Sequence, residues 1–252
     1  MMNEITFPMV VYSIPSDKFV PATLMAENGS ALIASYMERE GIRPLILDYN
    51  TPDSLKVIAE NGKDAFKQGV ADQLVDIYRE RGVRIAAAKM FTNGFHDELD
   101  IFREVKERLA EKGQHLTIVA HGPHANWYGK GILRDYRDVI DLISVGDGEM
   151  SAVPLVKQAY GGGIDPDTIP NLMWLDGDEV RESKMGRRFV DLNELPTPIY
   201  REDVYPAIGS KMFLPMLDDS RGCSFGLCTF CAHPVHLGPY RERDPQLGKN
   251  MG

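Results

Sequence analysis

Short apolar runs and amphipathic stretches alternate along the first 160 residues. Runs rich in Val, Ile, Leu and Ala at residues 9–13, 44–47, 84–89, 115–120 and 141–145 predict five strands. Between them apolar positions recur every three or four residues, as with Leu99, Phe102, Val105 and Leu109, the mark of a helix with one buried face. That spacing predicts helices over residues 30–40, 53–59, 65–81, 96–112 and 151–160, with a short one at 130–135 after a glycine-rich loop. Gly41 and Gly82 stand where two of these helices should stop, because many helices end on a left-handed residue. Strands separated by helices need crossovers that return the chain to the same edge, which predicts a doubly wound α/β fold around a parallel sheet. Ligands of such sheets bind beyond the carboxyl ends of the strands.

From Gly161 the pattern changes. "YGGGIDPDTIP" reads as a linker, and "NLMWLDGDEVRES" as a hairpin turning at Asp176-Gly177. Residues 192–206 are proline-marked and extended, as in an interdomain connection, and residues 213–217 form an apolar run leading into a cysteine-rich loop. The expected layout is therefore 1–160, 161–210 and 211–252, with no internal repeat.

Composition narrows the function classes. The chain has 252 residues, 43% hydrophobic and 26% charged, with a formal net charge of −9. No basic run accompanies that charge, which argues against a nucleic-acid partner. The apolar run at residues 9–14 is too short for a signal-peptide core or a membrane span, so a cytoplasmic location is the expectation. All three cysteines fall between positions 223 and 231. Three thiols in nine residues suit a metal or cluster loop in a reducing compartment better than a disulfide scaffold.

The loop reads "SRGCSFGLCTFC", with Cys223, Cys228 and Cys231 in a C-x4-C-x2-C spacing. Thiolates bind iron well, and three of them leave one iron of a cubane without a protein ligand, open to a substrate or cofactor. A zinc site completed by His233 or His236 is the competing reading of the same residues. The loop resembles the cluster motif of radical S-adenosylmethionine (SAM) enzymes, especially members with an N-terminal cobalamin domain. It departs from the commonest C-x3-C-x2-C spacing by one residue, Leu227. The resemblance implies that Cys223, Cys228 and Cys231 hold a [4Fe–4S] cluster, that SAM chelates the fourth iron, and that Phe230 lies beside the adenine.

A second resemblance lies upstream. "VAHGPHANW", with His121, Gly122, Pro123, His124 and Asn126, is similar to the loop after the fourth strand of cobalamin-binding domains of this class. "SVGDGEMSAVPLVKQ" is similar to the following turn, with Gly146, Gly148 and Glu149 opening a helix. The implied fold is a Rossmann-like cobalamin-binding domain, then a linker, then the first strand and cluster loop of a truncated (β/α) barrel. Small residues such as Gly122, Ala125, Gly146 and Gly148 let backbone amides approach a corrin edge, and His124 and Asn126 are candidate partners of its amides or tail. No D-x-H-x-x-G motif is present, so the resemblance implies cobalamin bound without histidine on cobalt. The residue facing cobalt is then expected from the loop at 90–95. Without a ligand, His121 and His124 simply cap their loop, His96 is a surface or capping residue, Glu149 complements the helix dipole, and the methionines pack.

The resemblance implies a cobalamin-dependent radical SAM enzyme, most often a methyltransferase acting on an unactivated centre. It would draw on an electron donor such as flavodoxin or ferredoxin and act on a small-molecule or peptide substrate. Ring formation or rearrangement is the alternative chemistry, and a corrinoid-binding module with a structural metal is the alternative class. With 21 residues after Cys231 (252 − 231), the chain is expected to be too short to turn over alone.

Overall fold

The computed structural model describes residues 6–10, 25–92, 94–211, 218–233 and 237–248. Residues 11–13 of the first expected strand, the apolar run at 213–217, and His236 lie outside them. Five strands run parallel: β1 (Thr6–Val10), β2 (Arg43–Ile46), β3 (Ile85–Lys89), β4 (Thr117–His121) and β5 (Leu142–Ser144). They are joined by α1 (Asn28–Arg39), α2 (Pro52–Asn61), α3 (Lys63–Glu80), α4 (Phe95–Ala110) and α5 (Pro123–Asp135), and α6 (Glu149–Gly161) follows β5. The strand order is β2-β1-β3-β4-β5-β6-β7, where β6 (Leu172–Asp176) and β7 (Glu179–Glu182) run antiparallel. The order reverses between β1 and β3, which opens a crevice at their carboxyl ends.

Both faces of the sheet are covered, and alternation along each strand sorts the side chains. Ala86 and Ala88 of β3, Ile118 and Ala120 of β4, and Ile143 of β5 join one core with α3, α4 and α5. Ile85, Val119 and Leu142 point the other way, to α1 and α6. The fold is α/β with a mostly parallel, mixed sheet.

Three expectations are corrected. The hairpin at 171–183 is not a free-standing part of a linker: β6 pairs with β5, Ser144 opposite Leu172, and extends the main sheet. Its apolar residues explain this, because Met173 continues one core and Leu172 the other. The short helix expected at 130–135 is the end of a longer α5 that begins at Pro123. Proline suits the first helical position, and the internal Gly129 is a packing residue: a Cβ there would stand 2.6 Å from Met173 Cε and 3.1 Å from Ile143 Cγ2. The extended stretch at 192–206 is also docked. Ile199 N–H donates to Ala31 O (3.1 Å), Ser35 Oγ to Thr197 O (2.6 Å) and Ile46 N–H to Val204 O (2.7 Å), and Leu195, Ile199 and Tyr205 are buried. No helix among the described residues is long and apolar enough to cross a membrane.

Candidate functional site

The carboxyl ends of β3 and β4 bring the first group together. Lys89 ends β3 and His121 ends β4, directly opposite in the register. The loops beyond are stitched: Met90 N–H donates to His121 O (2.8 Å), and His124 N–H to Met90 O (3.2 Å). Gly122 makes that approach possible. Its φ is +91°, and a Cβ would lie 3.1 Å from Lys89 Cγ and 3.2 Å from Met90 O. Lys89 pairs with Glu27, which caps α1 by accepting from Ser30 N–H at 2.7 Å. Burial works to raise the Glu27 carboxyl, but the Lys89 charge and the bonds from Lys89 and Ser30 prevail and hold it at about 2. Burial, reinforced by Lys89, pushes His121 down to about 4, so its imidazole is neutral near pH 7.

Beside His121 an apolar pocket opens between the sheet and the pair α1 and α6. Ile85, Ala87 and Val119 form its floor, Ile33 and Leu155 its walls, and Ser144, Gly148 and Ser151 its rim. Gly148 keeps α1 and α6 close, since a Cβ there would come within 2.8 Å of Ile33 Cδ1.

A second cleft, about 360 Å³, lies on the other side of the β4 loop. Thr92, Pro123, His124, Asn126, Trp127 and Tyr128 line it together with Ala232 and His233, which follow the last cysteine. His124 Nδ1 is 3.2 Å from Thr92 Oγ1, and its ring lies between Phe95 (centroids 4.5 Å apart) and Tyr128 (5.1 Å). Asn126 Oδ1 accepts from Gly146 N–H (2.9 Å), which ties the loops after β4 and β5 together. His96 meets Phe95 and Tyr136 edge-on, away from this lining.

The cysteine loop is rooted in a two-stranded ladder, β8 (Ser220–Arg221) with β9 (Arg241–Glu242). Gly222 turns the chain at φ +84°, and a Cβ there would sit 2.4 Å from Pro239 O, so no other residue fits. All three cysteines are free and partly exposed. Cys223 Sγ accepts from Gly226 N–H (3.5 Å), and the backbone N–H groups of Gly226 and Phe225 lower its thiol from the ordinary value. Cys231 N–H donates to Cys228 O (3.2 Å). Leu227, the extra residue of the spacing, and Phe230 both project into solvent. Among the described residues no three His, Cys, Asp or Glu side chains converge to hold one metal ion.

The ladder is fastened to the loop after β5 by a buried ionic network that the sequence reading missed. Arg221 donates to Glu149 Oε1 (2.6 Å) and Oε2 (3.2 Å), to Asp147 Oδ1 (3.1 Å), and to Asp218 Oδ2 (2.8 and 3.0 Å). Asp147 also accepts from Arg241 and from Val190 N–H (3.0 Å). Glu149 does stand in the first turn of α6, as a dipole partner should, but Arg221 engages both of its carboxylate oxygens. It therefore serves this network, whereas it was expected among the cofactor contacts. Asp147 and Arg221 lie inside the quoted motifs, yet nothing local signals that residues 74 apart in the chain are partners.

No family model matches the chain, and no curated protein matches it by sequence. Solved structures do match its fold. OxsB, a cobalamin-dependent SAM radical enzyme solved with aqua-cobalamin and SAM bound, aligns over 99% of this chain and 31% of its own, at TM-score 0.73 and 15% identity. TsrM from Kitasatospora setae, a radical SAM methyltransferase solved with tryptophan substrate and a SAM analogue, aligns over 97% and 44%, at TM-score 0.67 and 14% identity. TsrM with cobalamin and a [4Fe–4S] cluster bound gives TM-score 0.66 at 14% identity. The chain spans about a third of OxsB and less than half of TsrM, and at these identities the likeness is one of fold.

Proposed function

We propose that this chain carries the cobalamin-binding and cluster-binding parts of a cobalamin-dependent radical SAM enzyme whose reaction is methyl transfer to an unactivated centre. One observation carries the reading. The cysteine loop is fastened to the β5 loop at the carboxyl ends of the parallel sheet, and the segment after Cys231 shares a cleft with the β4 loop. Both halves of the sequence resemblance thus face one space. The fold of OxsB and TsrM supports the same reading.

The residues fit the groups this function needs. Three free thiols within nine residues, one with amides directed at its sulfur, suit an iron–sulfur cluster. A cubane takes one thiolate per iron corner, so the thiols need not converge on a single point as they would for zinc. On this reading Cys223, Cys228 and Cys231 would hold the cluster and leave one iron open to SAM, and Phe230 would flank the adenine. Gly122 lets the β4 loop lie against Lys89 and Met90, and Gly148 lets α6 lie against Ile33 of α1, so both set the shape of the crevice that a corrin edge and its tail would enter. Gly146, Pro123 and His124 border the same loops, and the apolar pocket beside His121 suits the least polar part of the tail. When bound, these groups supply the methyl donor and the radical that removes a substrate hydrogen.

The chain's own residues do simpler work. Burial, reinforced by Lys89, keeps His121 neutral, leaving the imidazole both a donor and an acceptor toward a ligand amide. Trp127 and Tyr128, both exposed, give the cleft an aromatic lining. Reducing equivalents come from a small electron-transfer protein such as flavodoxin or ferredoxin.

Anaerobic reconstitution with iron and sulfide should give about four irons per chain, and hydroxocobalamin should co-elute with the protein. Replacing any one cysteine with alanine should abolish the cluster without abolishing cobalamin retention. A wild-type chain that takes up zinc, refuses iron and sulfide, and retains no cobalamin would overturn this assignment.

A further inference from the structure

The ladder at the root of the cysteine loop poses an electrostatic problem. β8 and β9 set Arg221 directly opposite Arg241, and like charges in that position repel. The repulsion is relieved from outside the ladder. Asp147 accepts from both arginines, and Glu149 presents both carboxylate oxygens to Arg221. Asp147 and Glu149 are almost wholly buried, where charges need partners to be tolerated. The ladder therefore closes only when the β5 loop is in place.

Residues 146–149 divide between the ligand crevice and the ladder, in alternation. Gly148 rims the apolar pocket, and Gly146 is bonded to Asn126, which lines the cleft shared with Ala232 and His233. Asp147 and Glu149, between and after them, turn to the arginines. From Arg221 only Gly222 intervenes before Cys223, and Gly222 is pinned against Pro239 O with no slack. A shift of the β5 loop is thus passed to Arg221 through its bonds to Asp147 and Glu149, and from there along two residues of backbone to the first thiol.

We infer that Arg221 is a positioning residue that makes cobalamin binding in the crevice and cluster binding at the cysteines depend on one another. This rests on the function proposed above. Such coupling is reciprocal: whatever factor the cluster adds to cobalamin affinity, cobalamin adds to cluster affinity.

The test measures hydroxocobalamin affinity of the full chain with and without its reconstituted cluster. In the wild type the two affinities should differ by about 5-fold or more, the ordinary range of site-to-site coupling. In Arg221→Gln, in Glu149→Gln and in the double variant that ratio should fall to within about 2-fold, with the double no worse than either single. Arg221→Lys, which keeps charge but loses the fork, should be intermediate. A direct effect of Glu149 on the ligand cancels in the ratio. A wild type that binds both groups with no difference in affinity overturns the coupling and leaves the proposed function standing, as does an undiminished ratio in Arg221→Gln. A wild type that binds neither group overturns both. Should the glutamine variants misfold by circular dichroism, Arg221→Lys carries the same comparison, and an undiminished ratio there refutes the role of the guanidinium. Iodoacetamide alkylation of cluster-free Cys223, mapped against Cys228 and Cys231, should change selectively when hydroxocobalamin is added, and an unchanged rate refutes the inference.

Discussion

Glu98 shows how much a single residue can depend on its surroundings. It lies in the first turn of α4, fully buried, and neither carboxylate oxygen has a partner among the described residues. Burial, helped by the neighbouring Asp97 charge, pushes its carboxyl well above the usual range, so the folded chain holds it protonated. The unfolded chain ionises it near the ordinary carboxylate value. Between that value and the raised one the folded state binds the extra proton, and stability falls as pH rises. Glu98→Met removes the unpartnered group at similar length. It should stabilise the chain at pH 8 by about 1–3 kcal/mol and by less at pH 5. Urea unfolding at the two pH values measures this, and an equal effect at both contradicts the protonation argument. Gly122, Gly148 and Gly222 teach a related lesson: each is glycine because a neighbour occupies the place of its Cβ, a reason that no flanking residue encodes.

At the scale of elements, local periodicity located most helices and strands, because an amphipathic face or an apolar run is a property of adjacent residues. It failed where packing overrode local signals. α5 was read as starting seven residues late, since Gly129 and Gly131 resemble breakers until Met173 is seen packed over the first of them. The hairpin itself is legible, but the glycines and prolines before it group it with the linker outside the first domain, although β6 continues both cores. If β6 is integral to the sheet, Leu172→Ala should cost about 2–5 kcal/mol, as for other large-to-small core changes. A loss below about 1 kcal/mol in urea unfolding, the size of a surface substitution, would show that the hairpin only rests on the edge.

At the scale of the molecule, two buried polar clusters fasten the trailing segment to the sheet. One is the arginine–carboxylate network under the cysteine loop. The other lies at the end of β2, where Lys211 pairs with Asp48 at 2.6 Å, both almost fully buried, and Tyr205 donates to the same carboxylate. Removing one member of a buried pair leaves the other uncompensated and typically costs about 3–5 kcal/mol. Lys211→Met and Asp48→Asn should therefore each destabilise by about that much, and the double variant by clearly less than their sum. Strict additivity in thermal or urea unfolding would mean that the two side chains do not act as a pair.

The order of strands and helices and the three-cysteine loop were determined by the sequence alone. Both are written in neighbouring residues, as runs, periods and spacings of a few positions. The candidate ligand-contact set was only partly legible. His121, Gly122, Pro123 and His124 do stand together at the ends of β3 and β4, but Glu149 turns from the crevice to Arg221. Only the tertiary structure decided that Asp147 and Glu149 answer Arg221 and Arg241, that Lys89 meets Glu27, and that the hairpin extends the sheet. Those partners lie tens of residues apart, and a charge or an apolar side chain carries no mark of which distant group will neutralise or cover it. That choice is made when the whole chain packs, by the cost of leaving any buried charge or apolar face unmatched.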